Sequence, residues 1–334
     1  MKAGIRNTGI GAFEPLNQSD LVTVEGGEVG HDTNGSSLGP SFTYIVPPSM
    51  PLPILIAIPH AGRTYPASVL KAMRDAKLGQ LRLEDRHVDA VGVEIAKATG
   101  AGLLIAHAPR AMLDLNRAHD DVDWGMVVGG TRKDEVAQKV CAGVNRRAKS
   151  GLGLVPRRLP GFGEIWRSHL EQGELDRRID SIHRPYHEFL AQELERIRNI
   201  WGAALLLDLH SMPPLRKQAG QASAPRIVLG DRFGAACDAS LVGRAMRVLD
   251  DFSCSSGHNR PYSGGYVLDR HASTRRGLHA MQIEVCRSAY LDEQLDKTSA
   301  GVKPMATMLS ALVRELGAEV ARLGGEDQFE QAAE

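Results

Sequence analysis

Apolar residues along this chain fall into two rhythms. Continuous short runs mark buried strands: Ile54-Leu55-Ile56-Ala57-Ile58, Leu103-Leu104-Ile105-Ala106 and Ala203-Ala204-Leu205-Leu206-Leu207. Segments at about 53–59, 203–208, 226–229 and 280–285 are the predicted strands, with Ala111-Met112-Leu113 a further short one. Between them, steps of three and four mark helices. Leu81 to Thr99 carries Val88, Val91, Ile95 and Ala96 at that spacing and opens on Glu84-Asp85, acids that suit a helix N-terminus. Gly173 to Trp201 predicts one long helix through Leu175, Ile182, Tyr186, Leu190, Leu194 and Ile197, which Pro185 should kink or divide. Helices over 235–250 and about 300–323 follow. Strands alternating with helices predict an α/β fold, a mostly parallel sheet covered on both faces.

Elsewhere periodicity fails. Residues 1 to about 45, rich in Gly, Ser, Asn and Thr, are expected to form a flexible N-terminal arm, leaving 46–325 as a single catalytic α/β domain. Residues 118–172 and 255–265 read as loop-rich.

The chain has 334 residues, 43% of them hydrophobic, enough for a substantial core. Lys plus Arg equals Asp plus Glu at 40 each, so no overall field draws nucleic acid or an anionic membrane. The pairs Arg146-Arg147 and Arg157-Arg158 read as solvated surface charge. Cys141, Cys237, Cys254 and Cys286 show no CxxC spacing and fit reduced thiols in a cytoplasmic protein. No run approaches the ~18 apolar residues of a membrane span, and the N-terminus has no apolar signal core.

Candidate chemistry gathers just after the strands, the edge where open α/β sheets bind ligands. Two strands each deliver an imidazole: His60 in Ile58-Pro59-His60-Ala61-Gly62, and His210 in Asp208-Leu209-His210-Ser211. Two histidines and a carboxylate bind zinc with a position left open for water, whose pKa falls toward ~7. The third ligand is Asp85 or Asp89. Asp85 is preferred, because it stands at the end of its predicted helix nearest the sheet edge. Glu284 interrupts an apolar run; a lone acid there is costly unless it faces a cleft, and desolvation raises its pKa into the range of a general base. Arg117, with Asn116, suits a substrate carboxylate, since a guanidinium makes two parallel hydrogen bonds. Arg117 could otherwise pair with Asp120 or Asp121, Glu284 with Arg287, and Asp114 could cap a turn. His183 and His187, four apart without the glutamate of an HExxH pattern, read as packing or polar groups rather than ligands. Gly264-Gly265 reads as a place where backbone comes close to the cleft.

Taken in order, Ile58-Pro59-His60-Ala61-Gly62, Asp85-Arg86-His87, Leu113-Asp114-Leu115-Asn116-Arg117, Arg184-Pro185-Tyr186-His187, Asp208-Leu209-His210-Ser211 and Gln282-Ile283-Glu284-Val285 resemble the N-formylglutamate amidohydrolases, from about residue 53 to about 293. That family is in turn similar to the zinc carboxypeptidases. The resemblance implies a three-layer sandwich with a mixed sheet of about eight strands between helices. It also implies one zinc ion per chain, another divalent metal being compatible with the same donors. It puts the metal on His60, Asp85 and His210, the base on Glu284, and the substrate's free carboxylate on Asn116 and Arg117. Ala61 stands where the family commonly has Ser, and Arg63 stands where carboxypeptidases place their ligand Glu. The implied reaction is cleavage of N-formyl-L-glutamate to formate and glutamate, as in the last step of one histidine-degradation route. Arg110 or His271 would then stabilise the oxyanion, and Arg260 or Arg270 would hold the γ-carboxylate. The alternatives are a zinc peptidase, a hydrolase of another N-acyl amino acid, and a non-catalytic protein that binds acidic amino acids.

Overall fold

The computed structural model describes the backbone of residues 21–129, 147–217 and 223–333, with side chains up to residue 325. Cys141 and Arg146 lie outside the described residues. Eight strands form one mixed sheet: β1 (Val22–Gly26), β2 (Phe42–Val46), β3 (Ile54–Ile58), β4 (Gly102–Ala106), β5 (Ala204–Met212), β6 (Ile227–Gly230), β7 (Ser256–His258) and β8 (Leu278–Cys286). Their spatial order is β1-β2-β4-β3-β5-β8-β6-β7. The centre, β4-β3-β5-β8, is parallel, while β2 joins β4, and β6 joins β8, antiparallel. Two parts of the expected arm are therefore strands instead: β1 and β2 extend the sheet past β4, joined by an irregular connection. Residues 1–20 lie outside the described residues.

Strand parity sorts the apolar side chains onto two faces. Ile54, Ile56 and Ile58 of β3, Leu205, Leu207 and Leu209 of β5, and Met281, Ile283 and Val285 of β8 share one core. Helices α3 (Val88–Thr99), α6 (Ala239–Asp251) and α8 (Val302–Ala333) cover it. Leu55, Ala57, Leu104, Leu206 and Ala280 point the other way, beneath the helical run 172–201, helix α7 (Tyr266–His271) and the loops of 108–127. This is a sheet between two helical layers.

Three local readings differ from the structure, and a fourth, the division of the long helix near Pro185, is met. The helix predicted from Leu81 is two helices, α2 (Ala76–Leu83) and α3, preceded by a short α1 (Ala67–Ala72). Glu84 to His87 break the periodic run, with His87 at φ 55°. Ala111-Met112-Leu113 is buried but is not a strand. The stretch 255–265 contains β7, parallel to β6. The long helix divides into α4 (Gln172–Arg178), a π turn (Ile179–His183) and α5 (Arg184–Trp201). Pro185 has no N–H to give Ser181 O, four residues back. That carbonyl accepts from Glu28 N instead, at 2.9 Å, which ties the β1–β2 connection to the helix.

Candidate functional site

The site is built on the face of the sheet that carries even-numbered residues of β5 and β8. Parity puts Asp208 and His210 on the opposite side from Leu207 and Leu209, and does the same for Gln282 and Glu284 against Ile283. Register sets Glu284 beside His210 and Gln282 beside Asp208. His60 lies two residues beyond β3, in a turn that requires a glycine. A Cβ on Gly62 would stand 2.2 Å from Ala108 O. Asp85 arrives from the α2–α3 break: its N–H donates to His60 O at 2.9 Å, so the two residues are pinned together through backbone. Arg287 fixes the other side of that break by donating to Leu81 O at 3.1 Å and to Glu84 O at 2.5 Å.

His60, Asp85 and His210 are buried, and one ligand atom of each lies within 4.8 Å of the others. Asp85 Oδ2 is 3.6 Å from His60 Nδ1 and 2.9 Å from His210 Nδ1. Tetrahedral bonds of about 2.1 Å place donors about 3.4 Å apart, so these separations suit one small cation. The outer nitrogens are anchored: His60 Nε2 lies 2.7 Å from Asp114 Oδ1, and His210 Nε2 lies 2.8 Å from Asp208 Oδ2. A carboxylate on Nε2 keeps the proton there and leaves Nδ1 as a lone-pair donor, as in metal sites generally. His60 Nδ1 is buried with no hydrogen-bond partner, which is costly for a polar atom unless a cation uses it. The donor set and this orphaned nitrogen fit a divalent metal.

Sequence reasoning left both anchors without that role. Asp114 does accept from Asn116 N at 2.8 Å, as a turn cap would, but it also binds His60 and receives Arg110 Nε at 2.9 Å. Burial opposes ionisation of Asp114, yet Arg110, Arg117 and His60 together hold its carboxyl well below the usual range. For Asp208 the signal was present: it stands two residues before His210, on the same face of one strand.

Glu284 is buried and accepts from Gln282 Nε2 at 2.9 Å. Burial pushes its carboxyl up from 4.5 to about 7; His210 and Arg110 pull it back, and Asp85 and Asp208 push with burial. Arg287, three residues on, serves Asp85 and Ser211.

The remaining candidates separate. Asp89 sits apart from the cluster, in a two-pronged ion pair with Arg63 at 2.6 and 3.0 Å. Asn116 Oδ1 accepts from Val267 N at 3.0 Å, and a Cβ on Gly265 would lie 2.5 Å from that oxygen. The close backbone approach expected at Gly264-Gly265 is thus to Asn116. Arg117 donates to Leu152 O at 2.8 Å and Asn116 O at 2.6 Å, and its remaining nitrogen stands 3.9 Å from Asp114. Asp121 accepts from Arg147 N and Ala148 N. Arg260 lines a cavity of about 440 Å³ with Arg216, Lys217 and His258. Arg270 is exposed and donates to Tyr266 Oη at 2.8 Å. His271 is buried, 3.0 Å from His187 Nδ1. Cys237, Cys254 and Cys286 are free thiols. No helix among the described residues is long and apolar enough to cross a membrane.

Residues 52–291 match the family model of N-formylglutamate amidohydrolase. An N-formylglutamate deformylase from Pseudomonas putida is 29% identical over 249 residues, which is 72% of this chain and 83% of that protein. One from Pseudomonas aeruginosa is 28% identical over 274 residues, 79% of this chain and 91% of its own length. The crystal structure of an N-formylglutamate amidohydrolase from Ralstonia eutropha JMP134 superposes with a TM-score of 0.74 at 29% identity, covering 84% of this chain and 99% of that one.

Proposed function

The chain belongs to the N-formylglutamate amidohydrolase family, and from that premise we propose that it hydrolyses the formyl amide of N-formyl-L-glutamate to formate and glutamate. One observation carries the reading: three buried donors from three distant segments face one another, with Glu284 next to His210 across the strand pair. The metal would be held by His60 Nδ1, Asp85 Oδ2 and His210 Nδ1, and this donor set suits zinc. Bound there, it would supply Lewis-acid chemistry, polarising the formyl carbonyl and acidifying water.

The protein's own groups supply the rest. Glu284 accepts a proton from the attacking water and returns it to the amine nitrogen as the C–N bond breaks. Arg110, part-exposed and fixed on Asp114 through Nε and Nη2, offers positive charge toward the developing oxyanion. Asn116 and Arg117 hold the α-carboxylate. Arg260 is the stronger candidate for the γ-carboxylate. Its cavity also contains Gly257, which aligns through Val228 with Glu284 and His210 in one row across the sheet. Tyr262, two residues on, packs against Met212, Val228 and Cys286 on that same side.

The test is formate release from N-formyl-L-glutamate, run beside the N-acetyl and N-succinyl analogues and paired with metal analysis. Glu284→Gln should keep its metal and lose roughly 10²–10⁴ in kcat, the range for a missing acid–base group. Wild-type turnover in that variant would remove Glu284 from the chemistry.

A further inference from the structure

A second group of histidines lies outside the donor triad and has no part in the steps above. His183, the last residue of the π turn, and His187, on α5, bring their rings to 4.3 Å, and His271 of α7 stacks on His187 at 5.3 Å and 15°. All three are buried. Their hydrogen bonds determine where each proton sits. A carbonyl only accepts, so His187 Nε2 donates to Leu115 O at 3.0 Å and His183 Nε2 donates to Arg117 O at 2.9 Å. Burial pushes His183 down to about 4 and His271 to about 3, and holds His187 well below its ordinary range; the neighbouring rings and Arg270 push the same way. The rings are therefore neutral near pH 7. Neutral His187 has Nδ1 free to accept, and His271 Nε2 donates to it at 3.0 Å.

The two carbonyls held in this way stand on either side of Asn116. Asp114, one step earlier, is clamped by His60 and Arg110, and Asn116 Oδ1 is capped by Val267 N. Residues 114–117 belong to no strand or helix; Asp114 N bonds Leu154 O and Arg117 N bonds Asp114 O, while the carbonyls of Leu115, Asn116 and Arg117 accept from the side chains of His187, Arg117 and His183.

We propose that His183 and His187, backed by His271, are positioning residues that lock the peptide planes before Asn116 and after Arg117 so that Asn116 and Arg117 meet the substrate's α-carboxylate. The proposal rests on the carboxylate role given above to Arg117. It separates the site into two supports. Asp114 and Asp208 orient the metal-side imidazoles, whereas the histidine group orients the substrate-side clamp.

The experiment measures kcat, KM for N-formyl-L-glutamate and metal content in the full chain carrying His183→Asn, His183→Gln, Arg117→Ala, or Arg117→Ala with His183→Asn. Glutamine carries an amide N–H near the place of Nε2, while asparagine ends near Nδ1 and falls short of Arg117 O. His183→Asn should raise KM about 10-fold, the scale of one buried hydrogen bond, with kcat and metal content little changed. His183→Gln should return KM to within about 3-fold of the parent, and in the Arg117→Ala background the asparagine should add nothing to KM. The proposal is overturned if asparagine leaves KM unaltered, if asparagine and glutamine raise it equally, or if the two substitutions multiply. An unchanged KM in Arg117→Ala alone would instead show that Arg117 does not bind the carboxylate, and the proposal would fall with that reading.

Discussion

Glu284 draws its chemistry from its position. Its neighbours in sequence, Ile283 and Val285, face the apolar core, and its own side chain faces His210, Asp85 and Arg110. A base must be ionised to accept a proton. With Glu284 as the proposed base, the rate must drop as pH falls through its pKa and the carboxylate becomes neutral. Burial raises that midpoint to about 7, and a bound cation would lower it. The expected kcat/KM profile therefore has an acid limb that rises with pH toward neutrality; a rate that does not fall as pH is lowered from 7 would contradict the assignment. At this scale much was legible. An acid among β-branched and apolar residues, and a histidine at the end of an apolar run, stand out in any reading. The partnership of His60 with Asp114 was not legible, because 54 residues separate them and nothing in either segment refers to the other.

The elements hold the site through packing. Helix α8 lies across α3 and α6 at once, with Leu312 fully buried between them and the sheet. Leu312→Ala should lower stability by about 2–5 kcal/mol, seen as a lower urea midpoint, with KM unchanged because the helix covers the face opposite the site. A variant as stable as the parent would show that this packing is looser than the structure indicates. Existence and type of the long periodic elements were readable from spacing alone. The interruption near Pro185 was readable from the proline, but the one at Glu84–His87 was not read. Four polar residues, Glu84–His87, interrupt the apolar spacing that starts at Leu81, and the backbone leaves the helix there, where Asp85 N bonds His60 O and Arg287 takes the carbonyls of Leu81 and Glu84. Tertiary hydrogen bonds outweighed a modest local propensity. β1 escaped notice for another reason: Val22-Thr23-Val24-Glu25 is exposed edge strand with no buried face to impose a pattern. β2 does alternate, with Phe42, Tyr44 and Val46 buried, but it is only five residues long and reads as the end of the irregular arm.

Across the whole molecule, the donors come from the turn after β3, the α2–α3 break and the end of β5. A cation shared among them would join three parts of the fold and bind the native chain in preference to the unfolded one. Chelation should therefore lower the thermal midpoint, and restoring zinc to about 100 times its dissociation constant should recover about 2.7 kcal/mol. A midpoint indifferent to chelator and zinc would argue against a shared cation.

What the sequence determined by itself was the alternation of strands and helices, the two strand-borne imidazoles, the isolated Glu284 and the order of short motifs that resembles one family. Each is a local property, carried by periodicity or by a few contiguous residues. The sequence already preferred Asp85 to Asp89, and the structure sets Asp85 beside the two histidines. The tertiary structure alone decided that Asp114 and Asp208 anchor their outer nitrogens, and that His183 and His187 grip the Asn116–Arg117 segment. Those relations depend on strand register, on which side of the sheet a side chain leaves, and on where breaks in helices fall. They are set by packing between segments far apart in the chain, and a linear pattern carries no record of it.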